Sequence, residues 1–168
     1  AVIFNVRENT WYDTELPTAQ RTAGVYSNSY AKPLMVGDGG KVWVHEIGYD
    51  EIDGTSVLPV RSYFETGDLS ALIQGQNKAL RIERIEPDFV QRGAMTVQIT
   101  GRANARAPEV VSRAVMFPET ANEPFEELVV MKEQRRELRV KFQSETLGGD
   151  YQMGQIIGHI EPADGRTL

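Results

Sequence analysis

Met95-Thr96-Val97-Gln98-Ile99-Thr100 alternates apolar and polar residues without a break. Successive side chains of a strand point to opposite faces, so this run buries one face and wets the other only as a β-strand. The same period of two returns in Leu138-Arg139-Val140-Lys141-Phe142-Gln143. In Val42–Ile47 it puts Val42, Val44 and Glu46 on one face and Trp43, His45 and Ile47 on the other. A sustained 3.6-residue period is nearly absent. Short runs rich in Val, Ile, Phe and Tyr are instead parted by Gly, Pro, Asp and Asn. That pattern predicts an all-β fold, an antiparallel β-sandwich in its larger part.

Strands are expected at 1–6, 11–16, 23–29, 41–47, 59–66, 80–87, 95–102, 110–117, 137–145 and 151–161. Ile85 breaks the alternation begun by Leu80 and Ile82, the mark of a bulge. Residues 31–40 carry Pro33, Gly37, Gly39 and Gly40 and read as a linker or turn. Residues 71–78 and 120–126 read as loops, and the only helical candidates are single turns in 68–74 or 131–136. Two modules follow. Residues 1–38 hold short strands around Trp11 and Tyr12 that cannot bury a core alone. Residues 39–168 hold enough strands for a self-contained β-sandwich. No repeat of 40–45 residues runs through the chain, yet the first module has the look of the last piece of an upstream repeat array. "AVIFNV" at 1–6 has no charged-then-apolar leader pattern and reads as the continuation of a longer polypeptide.

Charge and residue types exclude several functions. A net charge of −6 argues against a large basic face for nucleic acid. With no Cys, disulfides and thiolate metal sites are ruled out, and two His rule out a His-rich one. No apolar run approaches the ~18 residues of a membrane helix. Of 18 basic residues, 13 are Arg. Arg holds carboxylates bidentately, which suits either a solvated, ion-paired sheet face or contacts between subunits.

"LGGDYQMG" at 147–154 invites a phosphate-loop reading. Such a loop needs Lys and Ser or Thr after its last glycine, entering a helix, but Gly154 is followed by Gln155, Ile156 and Ile157. The dinucleotide spacing Gly-x-Gly-x-x-Gly is also missing. A hairpin is expected instead, with Gly148 and Gly149 at positive φ and Asp150 closing the turn. "YDEIDGTS" at 49–56 resembles a calcium loop only faintly: with Asp50 first, Ile52 and Thr55 fall where a ligand and Gly belong. It reads as a hairpin tip. His45 and Glu46 face opposite sides of a strand, while His159 and Glu161 share one but lack a third ligand. No Gly-x-Ser-x-Gly elbow is present. Neither a catalytic constellation nor a metal or cofactor site is expected. In "KEQRRELRVKF" at 132–142, Arg135, Arg136 and Arg139 are interleaved with Glu133 and Glu137. A nucleic-acid stripe does not mix in its own acids so closely. These Arg side chains are expected to pair with carboxylates, and they are the candidates for contacts between subunits.

Several segments together resemble one family. "NTWYDTELPTAQRTAG" (9–24), "VWVHEIGYDEIDG" (42–54), "SYFETGDL" (62–69), "RIERIEPDFVQRGAMTVQITGRANA" (81–105) and "KEQRRELRVKFQSETLGGDYQMGQIIGHIEP" (132–162) are similar to the C-terminal part of the tail nozzle, or packaged-DNA stabilisation, proteins of short-tailed bacteriophages. The resemblance implies a β-propeller joined to further β structure, with Trp11-Tyr12-Asp13 like its closing blade. A full propeller does not fit in 168 residues, which is a departure from the family pattern. The resemblance further implies a homo-oligomeric ring, six copies in the family, in the virion tail. Such a ring continues the DNA channel below the portal and adaptor proteins. It retains packaged double-stranded DNA without reading its sequence and carries the distal needle or fibres. It implies no enzyme and no cofactor. Two other classes compete. A carbohydrate-binding β-sandwich would use exposed aromatics, for which Trp11, Trp43, Tyr49 and Tyr63 are the candidates. A β-sandwich hydrolase would need a cleft with two carboxylates on one substrate atom.

Overall fold

The computed structural model describes residues 2–13, 15–18, 20–72, 79–117 and 129–163. The chain is all-β and every strand pair is antiparallel. It divides into two compact units, residues 1–61 and 62–168.

Unit 1 is a set of small ribbons. β1 (Val2–Asn5) and β2 (Thr10–Asp13) form a hairpin. Its turn is pre-shaped by Asn5, whose Oδ1 accepts from the backbone N–H groups of Arg7 and Glu8. Asn9 then takes a φ of 55°, a left-handed position that Asn tolerates better than most residues. β3 (Arg21–Val25), β4 (Leu34–Gly37) and β5 (Val42–Val44) make a three-stranded sheet. β6 (Asp50–Asp53) and β7 (Ser56–Pro59) pair across a tip where Gly54 has a φ of 61°. The 49–56 segment is thus the hairpin tip expected from its turn residues.

Unit 1 has almost no apolar interior. Every buried hydrophobic side chain of the described residues lies at or beyond Ala79, and among the described residues of unit 1 only Gly37 and Glu51 are buried. Meanwhile fifteen large apolar or aromatic side chains between Val2 and Val57 are exposed, Val2, Val6, Tyr26 and Trp11 at 71% or more.

Unit 2 holds the core. Its strands are β8 (Ser62–Glu65), β9 (Ala79–Arg92), β10 (Met95–Arg102), β11 (Val110–Val111), β12 (Val115–Phe117), β13 (Val129–Ser144) and β14 (Asp150–Ala163). They form one seven-stranded network in the order β11-β10-β13-β9-β14, with β12 also on β10 and β8 also on β13. The 16-residue β13 organises it. Its first half, 129–135, pairs with β9, and its second half, from Arg136, pairs with β10 and, at 141–144, with β8. Apolar side chains from both halves meet in one cluster that includes Leu80, Ile82 and Ile85 of β9, Val97 and Ile99 of β10, and Leu138 and Phe142 of β13. All seven are 1% exposed or less, and burying each contributes about 1.5–3 kcal/mol. The sandwich is therefore a single sheet folded over on itself.

The fold-over has a local cause. Between Val130 and Glu133, and again opposite the Thr100–Arg102 shift, β13 loses register with its neighbours. Lys132 and Glu137 sit at those places with φ of 52° and 50°. Each is a bulge that bends the strand and raises its twist. Gly101 lies against the second bulge: a Cβ there would stand 2.7 Å from Arg135 Cβ and 2.8 Å from the Arg136 carbonyl oxygen.

Several expectations are corrected. Residues 31–40 are not only a linker, because Leu34–Gly37 is the central strand of a sheet; only the Asp38–Gly40 turn, with Gly39 and Gly40 at φ of 80° and 75°, matches the reading. For the same reason a cut after residue 38 would split β4 from β5, and the division falls after Arg61 instead. The run 131–136 is strand; a single 3-10 turn occurs at Leu69–Leu72. The 110–117 strand is two short pieces, β11 and β12, parted at 112–114. The loop at 120–126 and most of that at 71–78 lie outside the described residues.

The hairpin expected at 147–150 is a corner. β13 enters it, but β14 leaves to pair with β9, so the turn carries the chain from one half of the folded sheet to the other. Gly148 has the expected positive φ, 66°, whereas Gly149 does not. Gly149 is needed for space: its Cβ would stand 2.7 Å from both Ser144 Oγ and the Thr146 carbonyl oxygen, which accepts the Gly149 N–H at 2.9 Å. Asp150 opens β14 opposite Arg92.

Candidate functional site

A part-buried polar cluster lies in unit 1. Arg21 begins β3, Trp43 is the middle of β5, His45 follows it, and Glu51 lies in β6. Arg21 ties the three others together. Its guanidinium carbon is 4.1 Å from the centroid of the Trp43 ring. Its Nε–H donates to His45 Nε2 at 3.0 Å, and its terminal nitrogen reaches Glu51 Oε2 at 3.5 Å. The Arg21 and Glu51 side chains are 8% and 3% exposed. Gly37 makes room for the indole, since a Cβ there would stand 2.9 Å from Trp43 Nε1.

Electrostatics follow from this geometry. A bare Nε2 must accept from Arg21, so His45 is neutral. Burial, and then the Arg21 charge, push its pKa below the ordinary 6.5. A guanidinium stacked on an indole and paired with a buried carboxylate is a clamp between two ribbons that share no apolar core.

Beside the clamp lies an open pocket of about 550 Å³, lined by Thr18, Gln20, Asp38, Lys41, Trp43 and Asp53. Lys41 is ion-paired with Asp53. Trp43 Nε1 is buried with no hydrogen-bond partner among the described residues. The pocket thus offers the Asp38 carboxylate and a Lys–Asp pair.

The other candidate residues are scattered. Arg135 pairs with Glu133 at 2.8 Å, and Arg139 with Glu65 at 3.4 Å and with Glu109. Arg102 pairs with Glu137 at 3.1 Å across the second bulge, and Arg136 stands opposite Arg102 in the register. Arg135 and Arg139 therefore meet carboxylates of their own chain. His159 is joined to Glu86 of β9 at 2.6 Å rather than to Glu161, and Glu86 is shared with Arg84. Among the described residues, no three His, Asp or Glu side chains are grouped to hold a metal ion. No described helix is long and apolar enough to cross a membrane.

Three of the four aromatic candidates are engaged by neighbours. Trp11 stacks on Phe4 with centroids 4.6 Å apart, Trp43 is taken by Arg21, and Tyr63 has the Lys141 ammonium 4.5 Å from its ring centroid. Tyr49 is exposed in unit 1 and Tyr63 belongs to unit 2. The clamp itself escaped sequence reasoning, because Arg21 and Glu51 are 30 residues apart and follow no motif. The only available signal was the Trp43-x-His45 spacing, which puts two ring side chains on one strand face. No known protein-family model matches this chain, and no curated protein matches it.

Proposed function

We propose that the chain is a structural protein of the tail nozzle of a short-tailed bacteriophage, acting in an oligomeric ring and without catalysis. One observation carries the reading: unit 1 exposes fifteen large apolar or aromatic side chains and buries none. Free monomers rarely leave so much apolar surface wet, and neighbouring protein is the usual cover. Subunits of a ring supply such cover to each other. The segments similar to nozzle proteins supply the identity of the ring. In this reading, copies surround packaged DNA, join portal and adaptor proteins above, and carry needle or fibre proteins below. The net charge of −6 suits a conduit, because like charge keeps DNA from adhering as it slides.

Imaging of the purified chain at high concentration tests this reading. Closed rings are the expected result, with the parent gene standing beside portal and adaptor genes. Isolated monomers, or a parent gene set among genes for sugar breakdown, would refute it.

The carbohydrate-binding alternative has one observation in its favour, the open pocket beside Trp43. Against it, the Trp43 ring is already stacked by Arg21. A glycan array with strong, saturable signals that Trp43→Phe abolishes would favour it.

A further inference from the structure

The two outer edges of unit 2 are unfinished, and in complementary ways. β14 runs for 14 residues, about 45 Å at ~3.3 Å per residue, and pairs with β9 alone among the described strands. No described strand pairs with the backbone N–H and C=O groups of its other edge. Residues 151–160 contain no Asp, Glu, Lys or Arg. Long, uncharged edges of this kind template pairing with another chain unless charge, Pro or a cover blunts them. The core is also open on this side. Tyr151, Met153, Ile156 and Ile160 point to it yet remain half-buried, whereas the core residues of β9, β10 and β13 are 3% exposed or less.

At the far end of the same sheet lies the 110–117 edge, made by β11 and β12 on β10. It too is apolar and exposed, with Val110, Val111 and Met116 at 46%, 56% and 68%. The charges of the two edges are opposite. Arg113 is exposed within the 110–117 edge, and exposed Asp150 and Glu161 flank the uncharged stretch of β14. None of the three is in an ion pair among the described residues. Two β14 edges meeting antiparallel about the centre of the uncharged 151–160 stretch would set Asp150 against Glu161, acid on acid.

We propose that the β14 edge of one copy receives the β11–β12 edge of the next, joining unit 2 of successive copies into a continuous sheet. The contact is head-to-tail, so its repetition closes a ring when the rotation per copy is right. The inference rests on the assembly reading above and names the surface that serves it.

Light scattering and hydrogen exchange on the full 168-residue chain test both, separately. At high concentration the mass is expected to rise to a multiple of the monomer, with exchange slowed in 110–117 and 151–160 relative to dilute protein. Arg113→Glu and Glu161→Lys should each raise the dissociation constant by about fivefold. The double variant should regain affinity, because the swapped charges attract again. Thermal melts of dilute variants confirm that the fold survives. A rise in mass with unchanged exchange in these segments, or a double variant weaker than both singles, would overturn the strand pairing and leave the assembly reading standing. A chain that stays monomeric at every concentration would overturn both.

Discussion

Gly101→Ala is the sharpest test of the way unit 2 folds over. The added methyl would stand 2.7 Å from Arg135 Cβ and 2.8 Å from the Arg136 carbonyl oxygen. Carbon atoms at rest are about 3.5–4.0 Å apart, so close to 1 Å must be found. Neither obstacle is the free end of a side chain. The room has to come from moving β13 away from β10 at the Glu137 bulge, where Arg102 and Glu137 are also paired. Overpacking of this kind costs about 1–3 kcal/mol. With a urea dependence of about 1–3 kcal/mol per molar, the midpoint should fall by roughly 1 M. The assay has an internal control. Both Trp residues, Trp11 and Trp43, lie in unit 1. Far-UV circular dichroism should therefore record the loss while tryptophan fluorescence reports an unaltered unit 1. A midpoint within about 0.2 M of the parent would refute the claim that only a missing side chain admits the bulge.

Three further outcomes are expected. Arg21→Ala strands the buried Glu51 carboxylate, and unit 1 should lose about 3 kcal/mol or unfold, seen as a red-shifted Trp43 emission; an unmoved spectrum and melt would remove the clamp. Glu137→Gly relieves a left-handed φ of 50° and should stabilise unit 2 by up to about 1 kcal/mol, whereas a drop in melting temperature would show that the Arg102 pair outweighs the strain. Stability should also fall at both ends of the pH scale. The pKa of His45 is lowered in the fold, so the unfolded chain takes up the proton first and unit 1 weakens as pH drops below about 6.5. Burial raises the Tyr151 pKa, so the unfolded chain releases its proton first and unit 2 weakens above about pH 10; melts at pH 5, 7 and 10.5 that coincide would contradict both.

The sequence announces strands more clearly than it announces partners. Residues 95–102 coincide with β10 because their alternation is unbroken and one face is fully buried. The last strand, expected at 151–161, is close to β14 because an apolar, uncharged run follows the Gly148-Gly149 turn. Pairing is another matter. "ETLGGD" has the turn chemistry of a hairpin, yet β14 turns to β9, which lies about 70 residues upstream in the register. Local dihedral preferences say that the chain reverses, and only the burial of Ile82 and Ile85 says against what. The bulges at Lys132 and Glu137 were hidden because neither residue favours positive φ, so tertiary packing imposed it. The candidate site was less legible still. Arg135 and Arg139 were picked for their density; Arg135 pairs with Glu133 of its own strand, whereas the partners of Arg139, Glu65 and Glu109, come from remote segments. The Arg21 clamp joins residues with no shared pattern.

β13 also fixes how unit 2 comes apart. A strand that belongs to both leaves denies the sandwich the hinge by which two separate sheets could swing open. Loosening the β9 leaf strips partners from the ribbon that holds Leu138, Val140 and Phe142 in the β10 leaf. Water therefore enters everywhere or nowhere, and unit 2 yields by abrupt rupture instead of gradual leakage.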